Sequence, residues 1–176
     1  MADTGVWAVV LAAGASSRFG SPKQHVLLEP VVEAVRQSSV DDVLVVLGAH
    51  DVETGARVVH CPEWERGPGA SLRCGLSALP AETEAAVVVL GDGPDLAPEA
   101  IDRVISHRGE GHVLAATYGG VRLHPVLVER AAWNTIPDEG ARTLDAVLVE
   151  CDDLGPPGDV DYADEALKPR WSSPDP

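Results

Sequence analysis

The segment Leu11-Ala12-Ala13-Gly14-Ala15-Ser16-Ser17-Arg18-Phe19-Gly20 follows an apolar run and is built largely from small side chains. Backbone N–H groups in such a turn can approach a polyphosphate without obstruction. Arg18 lies inside it and Lys23 just after it, two cations at short range in a chain with 13 basic and 28 acidic residues. Further on, Val87-Val88-Val89-Leu90 runs into Gly91-Asp92-Gly93-Pro94, an apolar strand that delivers one carboxylate at its C-terminal end. Asp92 fits two roles, a hard oxygen ligand for Mg2+ or a turn aspartate ahead of glycine and proline. Amides, cations and a metal-binding carboxylate together are the chemistry of a nucleoside triphosphate site.

Two other phosphate-binding loops do not fit. A Walker loop needs lysine directly after its last glycine, whereas Gly20 is followed by Ser21-Pro22-Lys23. A dinucleotide fingerprint needs three spaced glycines and an acid about 20 residues on; only Gly14 and Gly20 are present, and Asp51 comes too late.

The formal charge of −15 makes the overall field repel phosphate backbones and anionic lipid surfaces, which argues against nucleic acid and membrane partners. Cys61, Cys74 and Cys151 are odd in number and without CxxC spacing, so reduced thiols in the cytoplasm are expected. The apolar run Val6 to Ala13 is too short for a signal or membrane helix.

From Leu11 through Pro22-Lys23 the chain resembles the LAAGxSxRxGxPK signature of the MobA-like NTP transferases. Ala13 and Gln24 look more like the molybdenum cofactor cytidylyltransferases than the guanylyltransferases, which usually carry a second glycine in place of Ala13. Methylerythritol phosphate cytidylyltransferases share much of the loop. Cys61-Pro62-Glu63-Trp64-Glu65-Arg66-Gly67 with Ser71-Leu72-Arg73-Cys74-Gly75-Leu76 is similar to the family's NPxWxxGxxxSLxxGL segment. That likeness implies base and ribose contacts at Gly67 and Ser71, although Ser71 is equally suited to cap a helix and Trp64 to pack in the core.

The stretch at Asp92 resembles LLGDxP, whose aspartate holds magnesium. His124-Pro125-Val126-Leu127 resembles GHPVLF, with Leu123 in place of the glycine, and Asp138-Glu139-Gly140-Ala141-Arg142 resembles GDxGAR. Both imply acceptor-side roles, for His124 and Arg142; His124 serves as well for a satisfied strand histidine. Asp159-Val160-Asp161-Tyr162-Ala163-Asp164-Glu165 resembles DIDTPEDL, which makes Asp161 the second magnesium ligand.

The resemblance therefore implies a magnesium-dependent transfer of a nucleoside monophosphate, CTP being preferred to GTP, onto a phosphorylated small molecule such as molybdopterin. Leu11, Ala12, Ala13, Gly14 and Ser16 would line the nucleotide, with Arg18 and Lys23 catalytic. It also implies transient contact with a molybdoenzyme or its chaperone. A nucleotide-binding homologue with weakened turnover, or a relative with a different phosphate acceptor, stays open. The segments after Lys23 and after Gly48 are shorter than in the family pattern.

Positioning these residues requires an α/β fold, a three-layer Rossmann-like arrangement around a mostly parallel sheet. The apolar runs predict strands at Val6–Leu11, Val43–Leu47, Arg57–His60, Ala86–Leu90, Val113–Tyr118 and Leu123–Val128. Helices are expected from Glu29-Pro30, from Ser71, from Pro98, and over Ala141 to Leu148. One domain over 1–167 and a flexible proline-rich tail over 168–176 complete the expectation, with an acidic loop over 152–165.

Overall fold

The computed structural model describes residues 4–14 and 24–158. Expectations for Ala15–Lys23 and for 159–176, the tail included, lie outside the described residues. In chain order the elements are β1 (Val6–Ala12), α1 (Gln24–Arg36), β2 (Val43–Leu47), β3 (Arg57–His60), α2 (Pro68–Ser77), β4 (Ala85–Leu90), α3 (Pro98–Ser106), β5 (Val113–Tyr118), β6 (Val121–Glu129) and β7 (Val147–Glu150). The strands form one sheet in the order β3-β2-β1-β4-β6-β5-β7, parallel except for β6, which runs antiparallel to β4 and β5.

Valine dominates the central strands because both sheet faces are covered, leaving no solvated side that would favour alternation. One face carries Val10, Val45, Val87 and Leu127 against Leu28, Val31 and Val35 of α1 and Ile101 and Val104 of α3. The other carries Val9, Val46, Val88 and Val126 against Leu72 and Leu76 of α2 and Ile136 beyond it. These are the three layers expected from the sequence.

Four local expectations are corrected. α1 does not begin at Glu29-Pro30 but runs through Pro30 from Gln24. Leu27, Leu28, Val31, Val32 and Val35 are fully buried on one stripe, and that burial outweighs the roughly 3 kcal/mol that an interior proline costs. α2 begins before Ser71: Gly67, at φ 134°, is its N-cap, Pro68 occupies the first turn, and Ser71 is already inside the helix. Ser71 is therefore not a cap. The stretch Ala141 to Leu148 is not a helix either; a 3₁₀ turn at Ala141–Thr143 is followed by the edge strand β7, whose Leu114↔Val147 and Ala116↔Val149 pairings to β5 supply the backbone hydrogen bonds that a helix would otherwise make. Finally, Cys61 and Cys74 are not reduced thiols but form a disulfide, with Cα atoms 5.7 Å apart; the cysteine count gave no hint of it, because the pair meets only when β3 and α2 pack. Cys151 is free and buried.

The strand order sets where a ligand can go. From β1 the chain winds outward through β2 and β3, then returns to place β4 on the other side of β1. The crevice beyond the C-terminal ends of β1 and β4 is this sheet's switch point, the place where open α/β sheets collect ligands.

Candidate functional site

Both leading sequence candidates reach that crevice. The Gly91 N–H donates to the Leu11 carbonyl at 2.9 Å and the Ala49 N–H to the Ala13 carbonyl at 3.2 Å, so the exit from β1 is pinned between the ends of β4 and β2. A Cβ on Gly91 would stand 3.1 Å from the Ala12 Cβ, which is why the residue before Asp92 is glycine. Ala12 and Ala13 are buried, whereas Gly14 is exposed with open space on its Cβ side. The chain thus reaches solvent at Gly14, directly after two packed alanines. Ser16, Arg18 and Lys23 lie outside the described residues.

Asp92 sits in the turn that leaves β4, and it shares its surroundings with His124, Arg122 and Arg142. Burial pushes the His124 imidazole down to about 4; the Asp92 carboxylate opposes the shift and the two guanidinium groups add to it. The ring is consequently neutral at physiological pH. Asp95 is a turn residue, and its N–H donates to the Pro157 carbonyl at 2.9 Å. Leu96, His124, Pro157 and Gly158 meet around a cavity of about 20 Å³, so the described chain ends against the Asp92 turn. Asp161 lies three positions further on, outside the described residues.

α2 follows the parallel strand β3, so its start, with Gly67 as N-cap and Ser71 buried within it, lies at the C-terminal edge of the sheet. Trp64 packs against Gly48, where a Cβ would be 2.5 Å from the indole Cγ, so its part is to close the end of β2, half-buried against the core. A Cβ on Gly67 would be 2.5 Å from the Asp138 carbonyl oxygen, and Gly69 donates its N–H to that same oxygen at 2.9 Å. The start of α2 and the 137–140 loop are therefore in backbone contact.

Arg142 is exposed on the 3₁₀ turn that follows. Arg122, which the sequence reading passed over, holds this turn by donating to the carbonyls of Leu144 at 2.6 Å and Ala141 at 2.9 Å, while its Nε is buried without a partner. A signal was present, since Arg122 and His124 alternate along one strand and must share a face. Among the described residues, no three His, Cys, Asp or Glu side chains cluster in a way that could hold a metal ion, and no helix is long and apolar enough to cross a membrane.

This geometry can be set beside known proteins. The model of the MobA-like NTP transferase domain matches residues 8–152, most of the chain. The chain belongs to the MobA-like NTP transferase family. The bifunctional protein GlmU of Sorangium cellulosum is 34% identical over 122 residues, 57% of this chain but 26% of GlmU, so the chain spans only about a quarter of that curated relative. The crystal structure of the homologue of Mycobacterium tuberculosis Rv0371c from Mycobacterium sp. strain JC1 superposes with a TM-score of 0.77 at 25% identity, covering 93% of this chain and 94% of that one. Rv0371c of M. tuberculosis H37Rv itself gives 0.76 at 26% identity, covering 91% and 94%.

Against the MobA-like pattern, the disulfide is a departure of this chain, because Cys61 stands where the motif has asparagine. So is the stretch from Ala49 to Gly55, which forms no helix and passes directly into β3.

Proposed function

We propose that this MobA-like chain is a magnesium-dependent nucleotidyltransferase that moves CMP from CTP, in preference to GMP from GTP, onto the phosphate of a small acceptor of the molybdopterin type. The observation that supports the reading most is the meeting, at the sheet's switch point, of the exit from β1 into the glycine loop with the Asp92 turn. The preference for CTP rests on Ala13 and Gln24 alone.

In this reading an oxygen of the acceptor phosphate attacks the α-phosphorus of the triphosphate. A new P–O bond forms as the bond to the β-phosphate bridging oxygen breaks, and pyrophosphate leaves. The acceptor phosphate is already deprotonated at neutral pH, so no general base is needed; the neutral His124 agrees with that economy. Catalysis then rests on in-line positioning and charge neutralisation. Amides of the loop from Leu11 through Ser16 hold the β- and γ-phosphates with Arg18, and Lys23 reaches the α-phosphate. Gly67 and Ser71 face the base and ribose, and His124 and Arg142 the acceptor.

Asp92 offers the hard carboxylate oxygen that magnesium favours, and Asp161 is assigned as its companion. Magnesium, when bound there, supplies neutralisation of the phosphate charges and fixes their orientation. In a chain of net charge −15, that local positive charge is what makes a triphosphate site tenable.

The test incubates the protein with magnesium, molybdopterin and each triphosphate in turn, and follows pyrophosphate. Release with CTP, lost in Lys23→Ala, is expected. Release from GTP alone refutes the cytidylyl assignment. Tight CTP binding with no more turnover than Lys23→Ala turns the reading into that of a nucleotide-binding homologue, which the shortened Ala49–Gly55 stretch would favour.

A further inference from the structure

The two sides of the crevice are joined by more than proximity. Arg73, on α2, splits its guanidinium between the Asp138 carboxylate and the Ile136 carbonyl, the latter at 2.8 Å. Arg66, on the 3₁₀ turn before α2, reaches the other oxygen of the same carboxylate at 3.3 Å. The Asp138 carbonyl also accepts the Gly69 N–H at 2.9 Å. Gly140 lies against Pro68, whose Cγ would be 3.4 Å from a Cβ at that position. Side-chain and main-chain bonds thus run from donors at the helix start that carries Gly67 and Ser71 to acceptors on the loop that leads into Arg142.

We propose that Asp138 is a positioning residue for nucleotide binding: with Arg66 and Arg73 it locks the start of α2 to the loop before Arg142, so the nucleotide and acceptor sides of the crevice hold one geometry. The inference rests on the nucleotidyltransferase reading above. Its physical ground is that Gly67 and Gly69 can approach the 137–138 backbone in one register only, and two arginines aimed at a single carboxylate select it. The carboxylate is 41% exposed and Arg73 32%, and ion pairs that open to solvent add little to global stability. A lock of this kind governs geometry far more than melting.

Calorimetry with magnesium and CTP on the whole chain tests it, using wild type, Asp138→Ala, Arg73→Met and the double variant, with Tm measured alongside. Each single change is expected to weaken CTP binding by about tenfold, within the range of coupling between separate parts of a site. The double variant is expected to be no weaker than the worse single, because the two groups act as a unit. Asp138→Asn, which keeps an acceptor oxygen for Arg73, should recover part of the loss, and Tm should barely move. An unchanged Kd in Asp138→Ala, or two effects that simply add, overturns the proposal; so does a fall in Tm without any change in affinity. If Asp138→Ala does not fold, Arg73→Met decides alone, since it leaves the Asp138 carboxylate paired with Arg66. Should wild type bind neither CTP nor, titrated in the same way, ATP, GTP or UTP, the nucleotidyltransferase reading falls and the proposal with it, a result distinct from normal binding by every variant.

Discussion

Gly69→Ala is the most exacting test of how α2 is seated. In an ordinary helix the change would help, since alanine is better than glycine by up to about 1 kcal/mol. Here a Cβ would overlap the Pro137 carbonyl oxygen outright and stand 2.7 Å from its carbon. Ordinary contact begins at 3.4 Å, so the loop must retreat by 0.7 Å at that carbon alone. The Gly69 N–H to Asp138 bond is already 2.9 Å long, and such bonds weaken beyond about 3.2 Å, a tolerance of roughly 0.3 Å. The bond therefore breaks. Its loss costs about 1–3 kcal/mol and the overpacking a similar amount, for a net destabilisation of about 3 kcal/mol after the helix gain. For a domain of this size that is a fall in Tm of roughly 6–12 °C, read by thermal and urea unfolding. Gly109→Ala is the control: at φ 94° with nothing within 4 Å, it carries backbone strain alone, about 1 kcal/mol. A Gly69→Ala protein that melts at or above wild type would refute the packing argument.

Two further outcomes are open to direct measurement. Alkylation of the denatured, unreduced protein should label Cys151 alone, and three sites after reduction; opening the disulfide, which spans a sequence separation of 13, should lower stability by up to about 3 kcal/mol. Three labels without reductant would remove the cross-link. For His124 in the metal-free protein, a folded value near 4 against an ordinary 6.5 means that only the unfolded chain takes up a proton between those limits, so this ring's contribution to stability falls as pH drops through that window. Its imidazole resonances should titrate well below pH 5.5, and a midpoint near 6.5 would contradict its burial.

The strands were legible because a strand buried on both faces leaves an unmistakable mark, an unbroken valine-rich run ended by a turn. Val43–Leu47 and Val113–Tyr118, buried throughout, coincide with their predicted bounds, as does the largely exposed edge strand Arg57–His60, which was set by its neighbours' turns rather than by burial. β7 was misread because Ala141, Leu144, Val147 and Leu148 fall at helical spacing, and periodicity over so short a stretch cannot separate a helix from a turn plus an edge strand. Pro30 misled in the opposite sense. Read locally it marks a first turn, yet the buried stripe from Leu27 to Val35 continues the helix through it, a case of tertiary burial overriding propensity.

The site divides along the same line. Candidates whose signal is carried by immediate neighbours, Gly14 after two alanines and Asp92 between glycines, could be named from the chain alone. Groups defined by distant partners could not. Asp138 meets Arg73 across 65 positions and Arg66 across 72, and no spacing rule links them; Cys61 and Cys74 look unremarkable until β3 and α2 pack side by side. Arg122 is intermediate, since its shared face with His124 follows from strand alternation but its grip on Ala141 and Leu144 depends on the turn that was misread. A wrong element assignment thus propagates into a missed contact: once Ala141 to Leu148 is taken for a helix, its carbonyls count as satisfied within the helix, and nothing remains for the Arg122 guanidinium to bind.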